Sequence, residues 1–184
     1  LLILLFFNYK WIPVIFFGIV GLEVSINLIA SLDNISYQKN FDYTNFTKNI
    51  SESTAYLHKY DSGLYRTEKT FTRSDDDPLS NDYYGISNFN SISDRSTINL
   101  IDYLGLENND NSFTNNFATP LSDSILGVKY NIVPIKNRRK LPAEQQIVFT
   151  SAFYRSDLIR NKVVKSFKQV QIRKNSSALP LIFF

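Results

Sequence analysis

Apolar side chains are crowded at the front of this chain and spaced out behind it. Residues 11–32 read Trp-Ile-Pro-Val-Ile-Phe-Phe-Gly-Ile-Val-Gly-Leu-Glu-Val-Ser-Ile-Asn-Leu-Ile-Ala-Ser-Leu, a run broken by strongly polar groups at Glu23 and Asn27 alone. A helix of about 20 residues crosses the hydrocarbon of a bilayer, so the pattern predicts a transmembrane helix over 11–32. Tyr9 and Trp11 stand where an interfacial aromatic belt belongs, and Pro13 falls in the first turn, where a missing N–H costs little. Residues 1–10 read as the end of a preceding span, Leu1 to Phe7, followed by a very short turn. Lys10 in that turn favours its cytoplasmic side, which puts everything after residue 32 outside the cell. A signal peptide fits less well, because no basic leader precedes the run and Glu23 and Asn27 lie inside it. A buried core hairpin would need the apolar residues spread more evenly.

Residues 33–50 show no period and read as a linker. From 51 to 184 the pattern changes to short runs with turn signals between them. Ser51 can cap a short helix over 52–60, and Leu64–Arg73, rich in Thr and aromatics, reads as a strand. Ser74 to Pro78 is a solvated turn, and Tyr83–Phe89 a second strand with Gly85 marking a bulge or a close backbone approach. A helix over about 94–104 buries Ile98, Ile101 and Leu104 and stops at Gly105, and Thr119-Pro120 starts another that ends at Gly127. Val128–Ile135, Ile147–Tyr154, Val163–Ile172 and Leu179–Phe184 complete the strands, the last cut short by the end of the sequence. The fold class is therefore α+β: a transmembrane helix, then a mixed or antiparallel sheet with two or three short helices. Leu64–Arg73, Val128–Ile135 and Val163–Ile172 are expected to share one sheet.

Composition narrows the chemistry. With no Met among 184 residues, the sequence is expected to be a piece of a longer protein. The absence of Cys removes disulfides and thiol chemistry, and the single His58 removes any two-histidine metal site, so His58 reads as a surface residue. The formal net charge of +3 hides a gradient: residues 1–60 carry four basic and four acidic groups, 61–123 four and eleven, and 124–184 twelve and two. The last stretch, at +10, is either matched by the acidic middle across the fold or open to an anionic partner. No zinc finger, RNP motif or continuous basic helix points to nucleic acid. There is no G-x-S-x-G, no G-x-G-x-x-G and no Walker loop, and Ser74-Asp75-Asp76-Asp77 lacks EF-hand spacing. Nothing in the sequence calls for a cofactor or a metal.

Four blocks stand in order behind the apolar helix: Leu64-Tyr65-Arg66-Thr67-Glu68-Lys69, Tyr84-Gly85-Ile86-Ser87-Asn88-Phe89-Asn90-Ser91, Leu126-Gly127-Val128-Lys129-Tyr130, and Asn175-Ser176-Ser177-Ala178-Leu179-Pro180-Leu181. Together they resemble the YfhO family of bacterial multi-spanning membrane proteins. Thr67 stands where that family usually has an apolar residue, and Ile182 where a Gly is common. The resemblance implies a GT-C type glycosyltransferase in the bacterial cell membrane, taking sugar from a polyprenyl-phosphate carrier and attaching it outside the membrane to a cell-wall polymer such as lipoteichoic acid. It also implies a catalytic acid in an early outer loop that this sequence does not include, so no residue here is assigned a catalytic role. The rival expectation is a non-enzymatic, membrane-anchored interaction or assembly domain that binds anionic polymer, lipid or a protein partner.

Candidate binding residues follow from charge and position. Glu23 and Asn27, spaced i and i+4, share a helical face and are costly in lipid, so they are expected to face neighbouring helices or to line a polar cavity that admits a lipid headgroup. Arg138, Arg139 and Lys140 form a basic loop suited to a phosphate polymer. Lys162, Lys165 and Lys168 extend that surface, with Arg66, Lys69 and Arg73 contributing if the sheet brings them alongside. Regular strand alternation would put Lys165 on the face opposite Lys162 and Lys168.

Overall fold

The computed structural model of the chain describes residues 11–33, 35, 40–135 and 151–181. The chain divides into two units between Gln38 and Lys39. In the first, Ile12–Asp33 forms one continuous helix, α1, with none of its residues buried, and it is long and apolar enough to cross a membrane. The Ser25 hydroxyl donates to the Gly21 carbonyl at 2.7 Å, so this polar group is satisfied within the helix itself. Residues 1–10, read as an earlier span and turn, lie outside the described residues.

The second unit opens with a long helix, α2 (Asn40–Tyr60). Residues 40–50, expected as linker, belong to it, and Ser51 lies inside the helix instead of capping it. Propensity hides this helix because Asn, Ser and Thr compete for backbone partners, but here they bond to the helix's own carbonyls. The Asn49 side chain donates to Asn45 O at 2.7 Å, Ser53 to Asn49 O at 2.8 Å and Thr44 to Asn40 O at 3.0 Å. Burial of Phe46, Ile50 and Leu57 along one stripe supplies what propensity lacks.

The remaining elements are β1 (Arg66–Lys69), β2 (Phe71–Thr72), α3 (Asp77–Ser80), β3 (Asn88–Phe89), α4 (Arg95–Tyr103), β4 (Ser112–Phe113), α5 (Pro120–Ile125), β5 (Val128–Pro134), β6 (Ser151–Ala152), a 3₁₀ turn over Asp157–Arg160, β7 (Lys162–Ser166) and β8 (Val170–Lys174). Among the described residues, four strands form a mixed sheet in the order β1-β5-β8-β7. The β1/β5 pair is parallel and the other two pairs are antiparallel. Each of the three stretches expected to share one sheet contributes a strand to it, although β2 pairs with β6 in a separate two-stranded sheet, and the α+β class holds.

Several boundaries differ from the pattern. Leu64–Arg73 is two strands, because the chain changes partners at Thr70: its N–H donates to Ile132 O at 3.2 Å, and its carbonyl accepts from Phe153 N at 3.0 Å. Val163–Ile172 is a hairpin, closed by Phe167 N donating to Val170 O at 2.8 Å around Lys168-Gln169. Of Tyr83–Phe89 only Asn88–Phe89 is strand. Gly85 marks a close approach, since a Cβ there would lie 2.5 Å from the Pro78 ring. Leu179–Leu181 is not a strand, although Leu179 N donates to Ser124 O at 3.0 Å. Residues 136–150 and 182–184, with the strand starts and ends expected there, lie outside the described residues.

The two predicted short helices form as their end signals require. Asp94 caps α4 by accepting from Thr97 N, with Gly105 at φ +71° beyond its C-terminus, and Ile101 is its buried residue. Thr119 and Ser122 make a reciprocal capping box on α5, and Gly127 at φ +69° ends it. The sheet buries its two faces differently. Tyr130, Ile132, Val170 and Ile172 pack with Phe46, Ile50 and Leu57 of α2, while Val128 joins Ile86, Ile101, Leu106 and Leu126 in a second cluster.

Candidate functional site

Strand β1 places two charged side chains, Glu68 and Lys69, in the interior. Glu68 is fully buried, and its Oε1 accepts from the N–H groups of Ile86 and, at 3.1 Å, Ser87. Burial pushes its carboxyl up, against the Lys69 charge and these backbone donors. Lys69 Nζ lies 3.1 Å from Asp77 Oδ2, with side-chain exposures of 2% and 5%, and it sits 5.7 Å from the centre of the Tyr83 ring. Asp77 also accepts from Arg73 N at 2.9 Å. The supposedly solvated Ser74–Pro78 turn therefore carries a buried ion-pair partner.

A second polar knot lies against β5. Asp123 accepts from Arg155 Nη1 at 2.7 Å and from the amides of Asn115 at 3.3 Å and Asn131 at 3.4 Å. Arg155 is held from its other side by Asp157 at 2.5 Å. Burial raises the Asp123 carboxyl, opposed chiefly by the Arg155 charge. The sequence gives little signal for this pair, since a lone Asp between two serines of a short helix has no distinguishing pattern.

Where α2 gives way to β1, Asp61 accepts from Lys129 Nζ at 2.5 Å, from the Tyr130 hydroxyl at 2.7 Å and from Gly63 N at 3.0 Å. Burial alone would raise its carboxyl, but these three partners outweigh it and hold it at about 2. Folding thus favours the ionised form: the contribution is full above the ordinary value of 3.8 and is lost as pH falls to about 2. Asp61→Asn is expected to flatten the acid side of a thermal-stability profile in that window. A profile unchanged by the substitution would locate the acid sensitivity in other groups.

The basic candidates separate. Arg66 and Lys69 sit on β1, at the opposite edge of the sheet from β7, so the sheet does not bring them alongside Lys162 and Lys165. Arg66 is half-buried and donates from Nη1 to Leu126 O at 2.6 Å, while Lys69 is withdrawn into its pair with Asp77. Lys69 is thus an interior fastener, while Arg66 ties β1 to the end of α5 from a half-buried position. The Arg73 guanidinium stacks 4.9 Å from the Tyr43 ring. Glu23 and Asn27 are exposed on α1. Arg138, Arg139 and Lys140 lie outside the described residues.

The β7–β8 hairpin does concentrate cations. The register is irregular between Val163 and Lys165, so Lys162 pairs with Lys174 and Lys165 with Ile172. Lys174 and Ile172 are two residues apart on β8 and share a face, so the bulge brings Lys162 and Lys165 to the same side, where regular alternation would have opposed them. The Lys165 ammonium sits 5.5 Å from the Tyr56 ring centre on α2, which agrees with that placement. Lys162 and Lys174, like charges directly opposite in the ladder, repel each other. Among the described residues, no carboxylate makes a salt bridge with Arg160, Lys162, Lys165 or Lys174.

A model of the family described as bacterial membrane protein YfhO matches residues 1–184, the whole chain. The chain belongs to the YfhO family. It is a membrane protein by that membership, and α1 is its candidate span. Comparison with curated proteins and with solved structures finds no match. The four blocks that carry the YfhO resemblance meet in space. Glu68 of the first block accepts from Ile86 and Ser87 of the second. Arg66 N donates to the carbonyl of Gly127 in the third at 3.0 Å. Asn175 of the fourth donates from its N–H to Lys129 O at 2.8 Å and from Nδ2 to Val128 O at 3.1 Å. A Cβ on Gly127 would lie 2.4 Å from Leu181. The YfhO blocks are thus the fasteners of this unit, and the cationic hairpin lies outside them except where Lys174 adjoins Asn175.

Proposed function

We propose that this chain is the outer part of a multi-spanning YfhO glycosyltransferase, with residues 33–184 outside the cell. The parent enzyme transfers sugar from a polyprenyl-phosphate carrier to an anionic cell-wall polymer such as lipoteichoic acid. The observation that carries the polymer-binding part is the Lys162–Lys174 pair with Lys165 on the same face. A like-charge cross-strand pair costs stability unless an anion lies between or beside its members, and a chain of phosphates offers one at each repeat. A cationic edge strand also discourages edge-to-edge pairing, but that role needs no second lysine on β8. Arg138, Arg139 and Lys140 are proposed, from their charge alone, to contribute to polymer binding as well. Glu23 and Asn27 are proposed to face neighbouring spans, where a carboxyl and an amide find partners that lipid lacks.

The enzymatic reading is tested in membranes from cells making the full-length protein and from cells lacking it. Both are supplied with a polyprenyl-phosphate donor carrying radiolabelled sugar. Label entering lipoteichoic acid in the first and not in the second is the expected result. Equal labelling in both would favour a non-enzymatic interaction or assembly domain.

A further inference from the structure

The sheet face turned away from α2 carries a cavity. Ile132 and Ile172 pair across β5 and β8 and pack toward α2, so Val133 and Gln171, the next pair, lie on the other side, and Arg173 with them. These residues and the chain over 152–159 enclose about 500 Å³. The walls are mostly apolar, with Val133, Phe153 and Leu158 among them, and Tyr154 and Ile159, 66% and 58% exposed, mark where the cavity meets solvent. Among the described residues the lining also holds two guanidiniums and no carboxylate. Arg155 lies between Asp123 and Asp157, which neutralise it. Arg173 is half-buried and makes no salt bridge among the described residues. Its Nη1 donates to the carbonyls of Leu158 and Ile159 at 2.8 Å and of Asn161 at 3.3 Å. With the Gln171 amide turned so that its oxygen faces the guanidinium, that oxygen accepts from Nε at 3.1 Å and from Nη2 at 2.9 Å. These uncharged partners orient the group and leave one Nη2 hydrogen, and the whole charge, without a counter-ion at an apolar wall. We propose that this cavity binds a single-chain anionic amphiphile, with Arg173 holding the head group and the apolar walls the alkyl tail.

Both halves of the ligand are needed. A small anion would leave the apolar walls wetted, and a neutral hydrocarbon would leave the Arg173 charge facing a desolvated cavity. A cationic amphiphile would be repelled by that charge. A carboxylate and a phosphate are both bound by a guanidinium through charge-assisted hydrogen bonds, so either can serve as the head. A methylene is about the size of a water, and at roughly 30 Å³ each the volume holds about sixteen such groups, one alkyl chain and not two. A polyprenyl chain exceeds that, so the ligand is not the carrier lipid of the proposed transfer reaction. The described lining residues all lie outside the four blocks that carry the YfhO resemblance. The inference uses neither the hairpin lysines nor the transfer reaction, so it can fail while the proposed function stands.

Photolabelling locates the ligand. The full-length protein in nanodiscs of zwitterionic lipid is irradiated with alkyl diazirine probes that share one tail and carry a carboxylate, a phosphate or a trimethylammonium head. Labelled peptides are then identified by mass spectrometry. Saturable labelling within residues 152–160 by an anionic probe, at least about tenfold above the trimethylammonium probe, is expected. Whichever anionic head saturates at the lower concentration names the head group. Arg173→Gln should reduce that labelling about tenfold, the worth of a charge-assisted hydrogen bond. Ala152→Phe adds a ring to the cavity wall without touching Arg173 or its partners, and it should abolish labelling while the melting temperature stays near the parent's. No saturable labelling at 152–160, equal labelling by the cationic probe, or labelling that survives either substitution in a folded variant would overturn the proposal.

Discussion

Asp77→Ala should cost about 3–5 kcal/mol of stability, the largest loss expected from a single truncation in this molecule. The substitution leaves the Lys69 ammonium buried without its 3.1 Å partner, in a site where its side chain is 2% exposed. It also strips the Arg73 N–H of its acceptor. Against a net stability of about 5–15 kcal/mol for an ordinary domain, that is about a fifth of the total or more. Replacing both charges, as in Lys69→Met/Asp77→Leu, should recover much of the loss, because a well-packed apolar pair avoids the desolvation that the ion pair must offset. Denaturant unfolding of the full chain in micelles, followed by far-UV circular dichroism, measures both. A single variant within about 0.5 kcal/mol of the parent would mean that water reaches Lys69.

Glu68→Ala is expected to follow closely, at about 2–5 kcal/mol. It orphans the Ile86 and Ser87 amides, each worth about 1–3 kcal/mol when buried and unpaired. Glu68→Gln keeps an acceptor in place and removes the buried charge, so it should cost much less. Hydrogen exchange separates this from general loosening: protection of the Ile86 and Ser87 amides should fall in Glu68→Ala well beyond that of the α4 amides. A uniform loss across both regions would show that Glu68 acts through the core as a whole.

These two sites show how far the residues disclose the structure. The apolar run at 11–32 and the helix-end signals at Thr119-Pro120, Gly105 and Gly127 are local, and the structure follows them. Helix α2 was hidden because its first half is rich in Asn and Thr, and tertiary burial of Phe46 and Ile50 overrides a propensity that local pattern cannot correct. The partner change at Thr70 and the turn at Lys168-Gln169 depend on which strand lies alongside, which composition does not encode. Lys69 illustrates the same limit for the site: in sequence it is one more cation in a strand, and only the fold brings Asp77 to it. The face shared by Lys162 and Lys165 depends on one bulge, a single-residue shift that reverses the outcome of regular alternation.

The proposed polymer-binding role is tested most directly by lipoteichoic acid binding to the full-length protein in lipid nanodiscs. The parent is compared with Lys162→Gln/Lys165→Gln/Lys174→Gln at low and at high salt. Neutralising these lysines removes the Lys162–Lys174 repulsion, so the fold should be retained. With exposed charge pairs worth about 0.5 kcal/mol each, affinity at low salt should fall about tenfold. The difference should close as added salt shortens the screening length below about 10 Å. Equal affinity of parent and variant at low salt would contradict the assignment of this hairpin as the anion-binding face.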